Sequence, residues 1–150
     1  MKKVYLTVII LVIILSIFLI CFKLFRSRIF GINISWEVNI PMEDELIYYK
    51  DCFDEDDIRM FGDGWYYTVL KYNNEKKINK LSNINWVSSK NEELEAKALD
   101  IIDKIDVSNE FIIDFTEEYQ YFYKEKNKTN YIIIFFHTKN NMLYIVEQKT

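Results

Sequence analysis

The chain has very few of the residues that build disulfides, metal sites and catalytic bases. Only two cysteines and one histidine occur among its 150 residues. Because Cys21 lies within an apolar run, Cys52 has no partner for an intradomain disulfide or a cysteine-based zinc site. His137, in a predicted strand, is the only imidazole that could serve Cys52 as a base. We therefore interpret Cys52 as an inert side chain and predict that the protein is not an enzyme.

Glycine and proline are also scarce, with three and one in the chain. No glycine- or proline-rich linker is present, so we expect the folded domain to begin soon after the N-terminal segment. Gly62 and Gly64 flank Asp63 and are expected to need positive φ, as in a tight turn. Close approach of the backbone to a ligand is the alternative. The stretch is not a phosphate loop, because no Gly-Lys-Ser/Thr follows.

Charged residues are absent from Val4 to Phe22. The hydrocarbon core of a bilayer is about 30 Å thick and requires roughly 20 apolar residues in a helix. The segment is therefore predicted to be a transmembrane helix over residues 4–22, in contact with the lipid bilayer, and not a buried core helix. No small-residue cleavage site follows, and Ile20 stands before Cys21 where a lipoprotein signal requires a small residue. We interpret the segment as an uncleaved signal anchor.

The orientation of this anchor depends on the basic residues beside it. Lys2 and Lys3 precede the segment, and Lys23, Arg26 and Arg28 follow it, which nearly balances the positive-inside rule. Basic residues at the very start are typical of a signal sequence whose N-terminus remains in the cytoplasm. We expect a single-pass protein of the cell membrane with its domain outside, and the opposite orientation stays open.

Charge divides the chain into a predicted membrane anchor, residues 1–28, and a predicted acidic domain, residues 29–150. The domain contains all 23 acidic residues and 14 of the 19 basic ones, which gives it a net charge near −9. Its length suits one domain with its own core. Such a charge repels nucleic acid and anionic lipid headgroups, so neither is an expected partner of the domain surface.

Apolar periodicity predicts an α+β fold for the domain. Apolar residues alternate with polar ones from Ile32 to Ile40, which predicts a half-buried strand that ends at Pro41 and pairs with residues 46–49. The continuous apolar run 131–136 predicts an interior strand that is covered on both faces. The remaining predicted strands are 65–72, 111–115, 119–123 and 142–147.

Helical spacing predicts two helices in the domain. Ile78, Leu81 and Ile84 are spaced for a short one. Ser89 and Glu92 form a capping box for a longer one over about residues 90–105. Its apolar face is predicted to contain Leu94, Ala98, Ile101, Ile102 and Ile105. We expect an N-terminal transmembrane helix followed by a small antiparallel sheet with this amphipathic helix packed on it.

The acidic stretch 51–63 is the best candidate for a ligand site. Its carboxylates include Asp54, Asp56, Asp57 and Asp63. Calcium takes roughly six to eight oxygen ligands, which crowded carboxylates can supply. The EF-hand spacing is not matched, because no glycine follows at the sharp turn. The stretch is either a cation- or small-ligand-binding loop or a solvated loop.

Tyrosine is abundant in the domain, especially in the predicted strands. It forms strands readily and is also enriched at protein interfaces. In residues 119–123 both strand faces carry aromatic rings. The tyrosines therefore indicate either a core or an aromatic sheet face for a protein partner.

Three motifs resemble those of a family of small anchored proteins from low-G+C Gram-positive bacteria. They are the Phe-Gly-Asp-Gly run at 61–64, the Asn85-Trp86 pair and the C-terminal segment 136–144 with its Leu143-Tyr144 pair. The resemblance spans about residues 45–150 and implies a domain behind a single N-terminal apolar segment, without adding an activity. Residues 58–60, Ile-Arg-Met, depart from the small and histidine-containing residues of that family.

These patterns favour a membrane-anchored, extracytoplasmic binding module that recognises an envelope protein, as an immunity, sensor or assembly factor would. The alternative is a cation- or small-ligand-binding module that uses residues 51–63. A hydrolytic enzyme dependent on Cys52 or His137 is the third class.

Overall fold

The computed structural model describes residues 9, 12–17, 28–52 and 64–150. Residues 9 and 12–17 are helical. Within these described ranges no helix is both long enough and apolar enough to cross a membrane. Most of the segment 4–22 lies outside the described residues, so the transmembrane anchor stays a prediction.

The chain divides into two compact units, Met1–Met42 and Glu43–Thr150. The first contains helix α1, Arg28–Trp36, in which Ile29, Ile32 and Trp36 are buried whereas Ile34 is 64% exposed. The strand predicted over 32–40 is therefore wrong. Apolar residues at positions 29, 32 and 36 also fit one face of a helix, and that spacing prevails here.

Helix α1 ends at a side-chain clamp. Glu37 adopts a φ of 51°, which ends the helical conformation. Asn33 then holds the returning chain, because its Oδ1 accepts from Ile40 N at 2.9 Å and its Nδ2 donates to Ile40 O at 2.7 Å. The residues that looked like the second half of a strand are thereby folded back against the helix that precedes them.

The second unit is built on a five-stranded antiparallel sheet. Its strands are β1 (Glu45–Cys52), β2 (Gly64–Lys71), β3 (Gln120–Asn127), β4 (Asn130–His137) and β5 (Met142–Lys149). The spatial order is β1-β2-β5-β4-β3, and every neighbouring pair is antiparallel. The α+β class with an antiparallel sheet is confirmed.

Strand β1 pairs with β2, whereas the sequence predicted residues 32–40 as its partner. The strand predicted over residues 111–115 is wrong, because Phe111 is the last residue of the 3₁₀ turn Asn109–Phe111 and residues 112–115 form an irregular connection. Asp114 accounts for the break, because its Oδ1 accepts from both Thr116 N (2.9 Å) and Thr116 Oγ1 (2.6 Å). Such a local side-chain bond competes with a strand ladder.

Two helices accompany the sheet in this unit, α2 (Glu75–Leu81) and α3 (Glu92–Lys104). Helix α3 agrees with the helix predicted over about residues 90–105, whereas α2 contains Ile78 and Leu81 of the predicted short helix but ends before Ile84. The predicted capping box is wrong. The N-cap of α3 is Asn91, whose Oδ1 accepts from Leu94 N at 3.1 Å. Asparagine is at least as good an N-cap as serine, so the later residue starts the helix.

Side chains on both faces of the sheet are buried. On one face, side chains of β2, β4 and β5 form a single apolar cluster with the predicted face of α3. The residues that point to the other face of these strands are also buried, including Leu70, Ile132, Ile134, Leu143 and Ile145. All residues from Tyr131 to His137 are buried, so the predicted coverage of this strand on both faces is confirmed.

Candidate binding surface

The predicted cation ligands Asp54, Asp56, Asp57 and Asp63 lie outside the described residues. Cys52 at the end of β1 pairs with Trp65 at the start of β2, so the acidic stretch joins the ends of two adjacent strands. Among the histidine, cysteine and acidic residues that the structure does describe, no group of three or more could hold a metal ion. The calcium-site hypothesis therefore stays a prediction.

Glycine at the end of this stretch has the expected backbone conformation. Gly64 adopts a φ of 149°, in the region that disfavours residues with a Cβ. The prediction of positive φ is confirmed for Gly64, and Gly62 lies outside the described residues. Gly64 pairs with Lys149, so the unusual φ occurs where the chain enters the sheet.

Cys52 and His137, considered as a nucleophile and its base, lie at opposite ends of the sheet. The strand register aligns Cys52 with Trp65 and then Gln148. His137 of β4 aligns with Met142 of β5, and Met142 aligns with Lys71, the last residue of β2. The topology therefore separates the two side chains along the strands as well as across them, and they do not form a nucleophile–base pair.

His137 is buried in an aromatic environment. It is 2% exposed, and its ring centroid lies 6.4 Å from that of Tyr119 and 5.0 Å from that of Tyr144. Its Nε2 is buried without a hydrogen-bond partner. Burial lowers the pKa of His137, and the nearby carboxylates of Asp114 and Glu117 only partly oppose this. The side chain is thus a neutral component of the core.

Most of the tyrosines are part of the core. Six of those in the second unit are buried: Tyr66, Tyr67, Tyr72, Tyr119, Tyr131 and Tyr144. The hydroxyl groups of two of them bond within the fold: Tyr67 Oη donates to Phe111 O at 2.8 Å, and Tyr119 Oη donates to Glu95 Oε1. The aromatic residues of the sheet therefore account for its packing more than for an exposed aromatic face.

Tyr119 connects the sheet to the start of α3. Its Oη donates to Glu95 Oε1 and accepts from Asn91 N at 3.0 Å. Burial, reinforced by the bond to Glu95, raises the pKa of Tyr119 to about 12. Because the acidic first turn of α3 includes Glu92, Glu93 and Glu95, this helix end does not attract an anion.

The β3 edge of the sheet is partly closed by the chain itself. Val87 N donates to Tyr121 O at 2.8 Å, and Tyr121 N donates to Val87 O at 3.0 Å. A shallow cleft of about 360 Å³ lies beside this bridge, with Ser88, Gln120 and Thr138 in its lining. Gln120 Nε2 donates to Ser88 Oγ at 3.1 Å across it, so two of its polar groups already satisfy each other.

A completely buried glutamate lies inside the sheet near the end of β5. Glu147 is completely buried, and its Oε1 lies 2.8 Å from Lys149 Nζ, which lies 5.2 Å from the centroid of the Tyr66 ring. A buried carboxylate requires such a partner because desolvation otherwise favours its neutral form. Local sequence patterns do not predict this pair, because Glu147 follows the apolar run 142–146 as an ordinary polar residue would at the end of a strand.

The β1 end of the sheet differs from the β3 end. β1 is the terminal strand, and two of its apolar side chains are exposed: Leu46 at 50% and Tyr49 at 39%. Leu46 pairs with Leu70 and Tyr49 with Thr68, so both point to the face opposite α3. A bulge between Leu46 and Tyr48 keeps them on that shared face, because Ile47 and Tyr48 both pack against the core cluster.

The β1 edge is the candidate binding surface, defined as Glu45, Leu46, Tyr49 and Lys50. Sequence patterns identified residues 46–49 as a strand but did not reveal that it lies at the edge of the sheet. Edge position depends on the pairing of distant strands, and no local pattern reports it. The bulge places Leu46 and Tyr49 on the same face of the sheet. Residues three positions apart point to opposite faces of a regular strand, so no local pattern predicts this arrangement.

Comparison of this chain with protein-family models, with curated proteins and with solved structures gives no match.

Proposed function

We propose that this chain is a membrane-anchored binding module whose domain lies outside the cytoplasmic membrane and recognises a protein partner along the β1 edge. The observation that carries the proposal is the position of β1 as terminal strand, with the exposed side chains of Leu46 and Tyr49 on one face. Resemblance to the family of small anchored proteins, which rests on the motifs in residues 61–144, supports the anchored arrangement.

A terminal strand offers backbone donors and acceptors to an added strand, and its side chains supply specificity. Complete burial of a leucine is worth about 1.5–3 kcal/mol, so the exposed half of Leu46 would contribute about 1 kcal/mol. Leu46 and Tyr49 are thus suited to positioning a partner, while the backbone ladder would supply most of the contacts. The net negative charge of the domain disfavours nucleic acid as that partner.

Membrane topology is the first test of the proposal. Cys21 and Cys52 are replaced by serine, a cysteine is added after Thr150, and intact cells are treated with a membrane-impermeant maleimide. We expect labelling in intact cells. Labelling that requires lysis would place the domain on the cytoplasmic side and contradict the extracytoplasmic part of the proposal.

The binding surface is tested by site-specific photo-crosslinking in the same cells. A photoreactive amino acid replaces Leu46 in one variant and Leu99 in the control, because Leu99 is 43% exposed but lies on α3. We expect a discrete crosslinked protein band from position 46 and none from position 99. Equal yields from the two positions would contradict recognition along the β1 edge.

The alternative is a cation-binding module that uses Asp54, Asp56, Asp57 and Asp63. It is favoured by the pairing of Cys52 with Trp65, which brings together the two ends of the acidic stretch. A cation that binds only the folded state raises the melting temperature. Under this alternative, calcium raises the melting temperature of the wild-type protein but not that of a variant with these four residues changed to asparagine. Equal shifts in both proteins would exclude the site.

A further inference from the structure

We infer that the partner bound along the β1 edge is a second copy of this chain, paired antiparallel through β1; this inference rests on the proposed function. The β1 edge is self-complementary in sequence. Placing Leu46 of one copy opposite Tyr49 of the other brings the two exposed apolar side chains together. By two-fold symmetry the same contact forms twice, as an isologous interface requires.

The register also pairs opposite charges. With Leu46 opposite Tyr49, the neighbouring position places Glu45 of one copy opposite Lys50 of the other. Lys50 pairs with Tyr67 of the core cluster and its ammonium reaches Asp106 O, so it lies on the α3 side of the sheet. Glu45 precedes Leu46 and points to that same side, because side chains alternate along a strand. The charged pair and the apolar pair therefore fall on separate faces.

The contacts of Lys50 within its own chain are compatible with this pairing. Lys50 Nζ lies 3.6 Å from the carboxylate of Asp106, which is fully exposed. An ammonium group has three donors, so Lys50 can bond to Asp106 and to a carboxylate from the second copy together. Asp44, which faces Asp51 in this register, already has its carboxylate bound to Lys77. By symmetry the pairing places Asp44 opposite Asp51 twice, but each Asp44 carboxylate is bound to Lys77 and each Asp51 carboxylate accepts from Tyr49 Oη. It also creates two new ion pairs between Glu45 and Lys50.

Other registers fit less well. Centring the pair on Lys50 would place two ammonium groups opposite each other, which is destabilising. Centring it on Tyr49 would place Ile47, which packs on the core cluster, opposite Asp51, which points to the other face. The bulge therefore selects the register in which residues that meet also share a face.

The structure further indicates that the assembly closes at two copies. Open pairing through both sheet edges would generate a filament. At the β3 edge, Val87 is already bonded to Tyr121 in both directions, whereas β1 is the terminal strand at the other end. Two copies joined through β1 expose only β3 edges, and a third copy cannot add in the same way.

Disulfide crosslinking of the full chain in membranes tests the register. In a background with Cys21 and Cys52 changed to serine, we expect the Leu46→Cys/Tyr49→Cys double variant to form a covalent dimer on mild oxidation. The Cα atoms of directly opposed residues lie about 4.5–5.5 Å apart, which is within the Cα–Cα range of a disulfide. Neither single variant should crosslink, because equivalent residues are offset by three positions, about 10 Å. A Val87→Cys/Leu99→Cys variant controls for random collision between exposed thiols.

Charge reversal in the crosslinking variant provides a second, independent measurement. We expect Glu45→Lys or Lys50→Glu to reduce the dimer yield several-fold, and the two changes together to restore it. Photo-crosslinking at Leu46 in cells that express two differently tagged copies should join the tags without any cysteine substitution.

Dimer formation by a single-cysteine variant, or equal yields from the Val87→Cys/Leu99→Cys control, would overturn the inferred register. If the disulfide is absent and the photoreactive residue at position 46 captures a different protein, the second-copy inference fails while the proposed function stands. If position 46 captures nothing, both fail.

Discussion

At the scale of single residues, His137 is a buried ionisable group whose charge is constrained by its surroundings. It lies between the rings of Tyr119 and Tyr144, with Asp114, Glu117 and Lys139 nearby. Burial lowers its pKa and the two carboxylates raise it, with burial the larger effect. The sequence correctly predicted a strand histidine, but its aromatic neighbours come from distant segments and could not be predicted.

The direction of this shift predicts a pH-dependent stability. Because the folded protein holds His137 neutral, the unfolded chain binds more protons between the folded pKa and the ordinary value near 6.5. The contribution of His137 to the free energy of unfolding is complete above about pH 6.5. It is lost as the pH falls below that value, by at most about 1.4 kcal/mol per pH unit. Denaturant unfolding of the full chain in detergent between pH 7.5 and 5 measures it.

His137→Phe is the matched control for that measurement, since it retains a buried ring and removes the titration. We expect the unfolding free energy of the wild-type protein to fall relative to the variant below about pH 6.5. Parallel curves for the two proteins over this pH range would show that His137 does not titrate differently on folding.

At the scale of secondary structure elements, local patterns identified most strands and both helices of the second unit. They failed where two signals competed. Ile32, Ile34 and Trp36 alternate as in a strand, yet Ile29, Ile32 and Trp36 lie on one helical face and are the buried residues. Both periods fit so short a segment, and the Asn33 clamp on Ile40, a tertiary contact, accompanies the helix.

The start of α3 provides a test at this scale. Asn91 accepts from Leu94 N, whereas Ser89 lies before the helix. Asn91→Ala should lower the unfolding free energy by about 1 kcal/mol, because an N-cap bond is lost. Ser89→Ala should change it by less than about 0.5 kcal/mol. A larger effect at Ser89 than at Asn91 in denaturant unfolding would support the capping box instead.

At the scale of the whole molecule, the meander β3–β4–β5 follows from local patterns because its strands are consecutive and joined by short turns. The position of β1–β2 beside β5 does not, since it joins segments far apart in sequence. For the same reason the candidate binding surface was not identified from the sequence, although its residues were predicted to form a strand.

Burial of both sheet faces gives a whole-molecule prediction. Ile133 and Ile134 point to opposite faces of β4, and both are completely buried. Ile133→Ala and Ile134→Ala should each lower the unfolding free energy by about 2–5 kcal/mol. Ile34→Ala, at an exposed site of α1, should change it by less than about 0.5 kcal/mol. A small effect at Ile134 would mean that this face is open to solvent.

The sheet order has a consequence for biosynthesis. β5 is the last strand to be synthesised, yet it occupies the centre of the sheet, between β2 and β4. Until residues 142–149 emerge, the other four strands of the described sheet pair as two separate hairpins, β1–β2 and β3–β4, each with a long edge exposed. Two-stranded hairpins are marginally stable in water. The sheet is therefore completed only after residues 142–149 have emerged from the ribosome, and a premature stop codon before β5 would yield chains suited to aggregation and proteolysis.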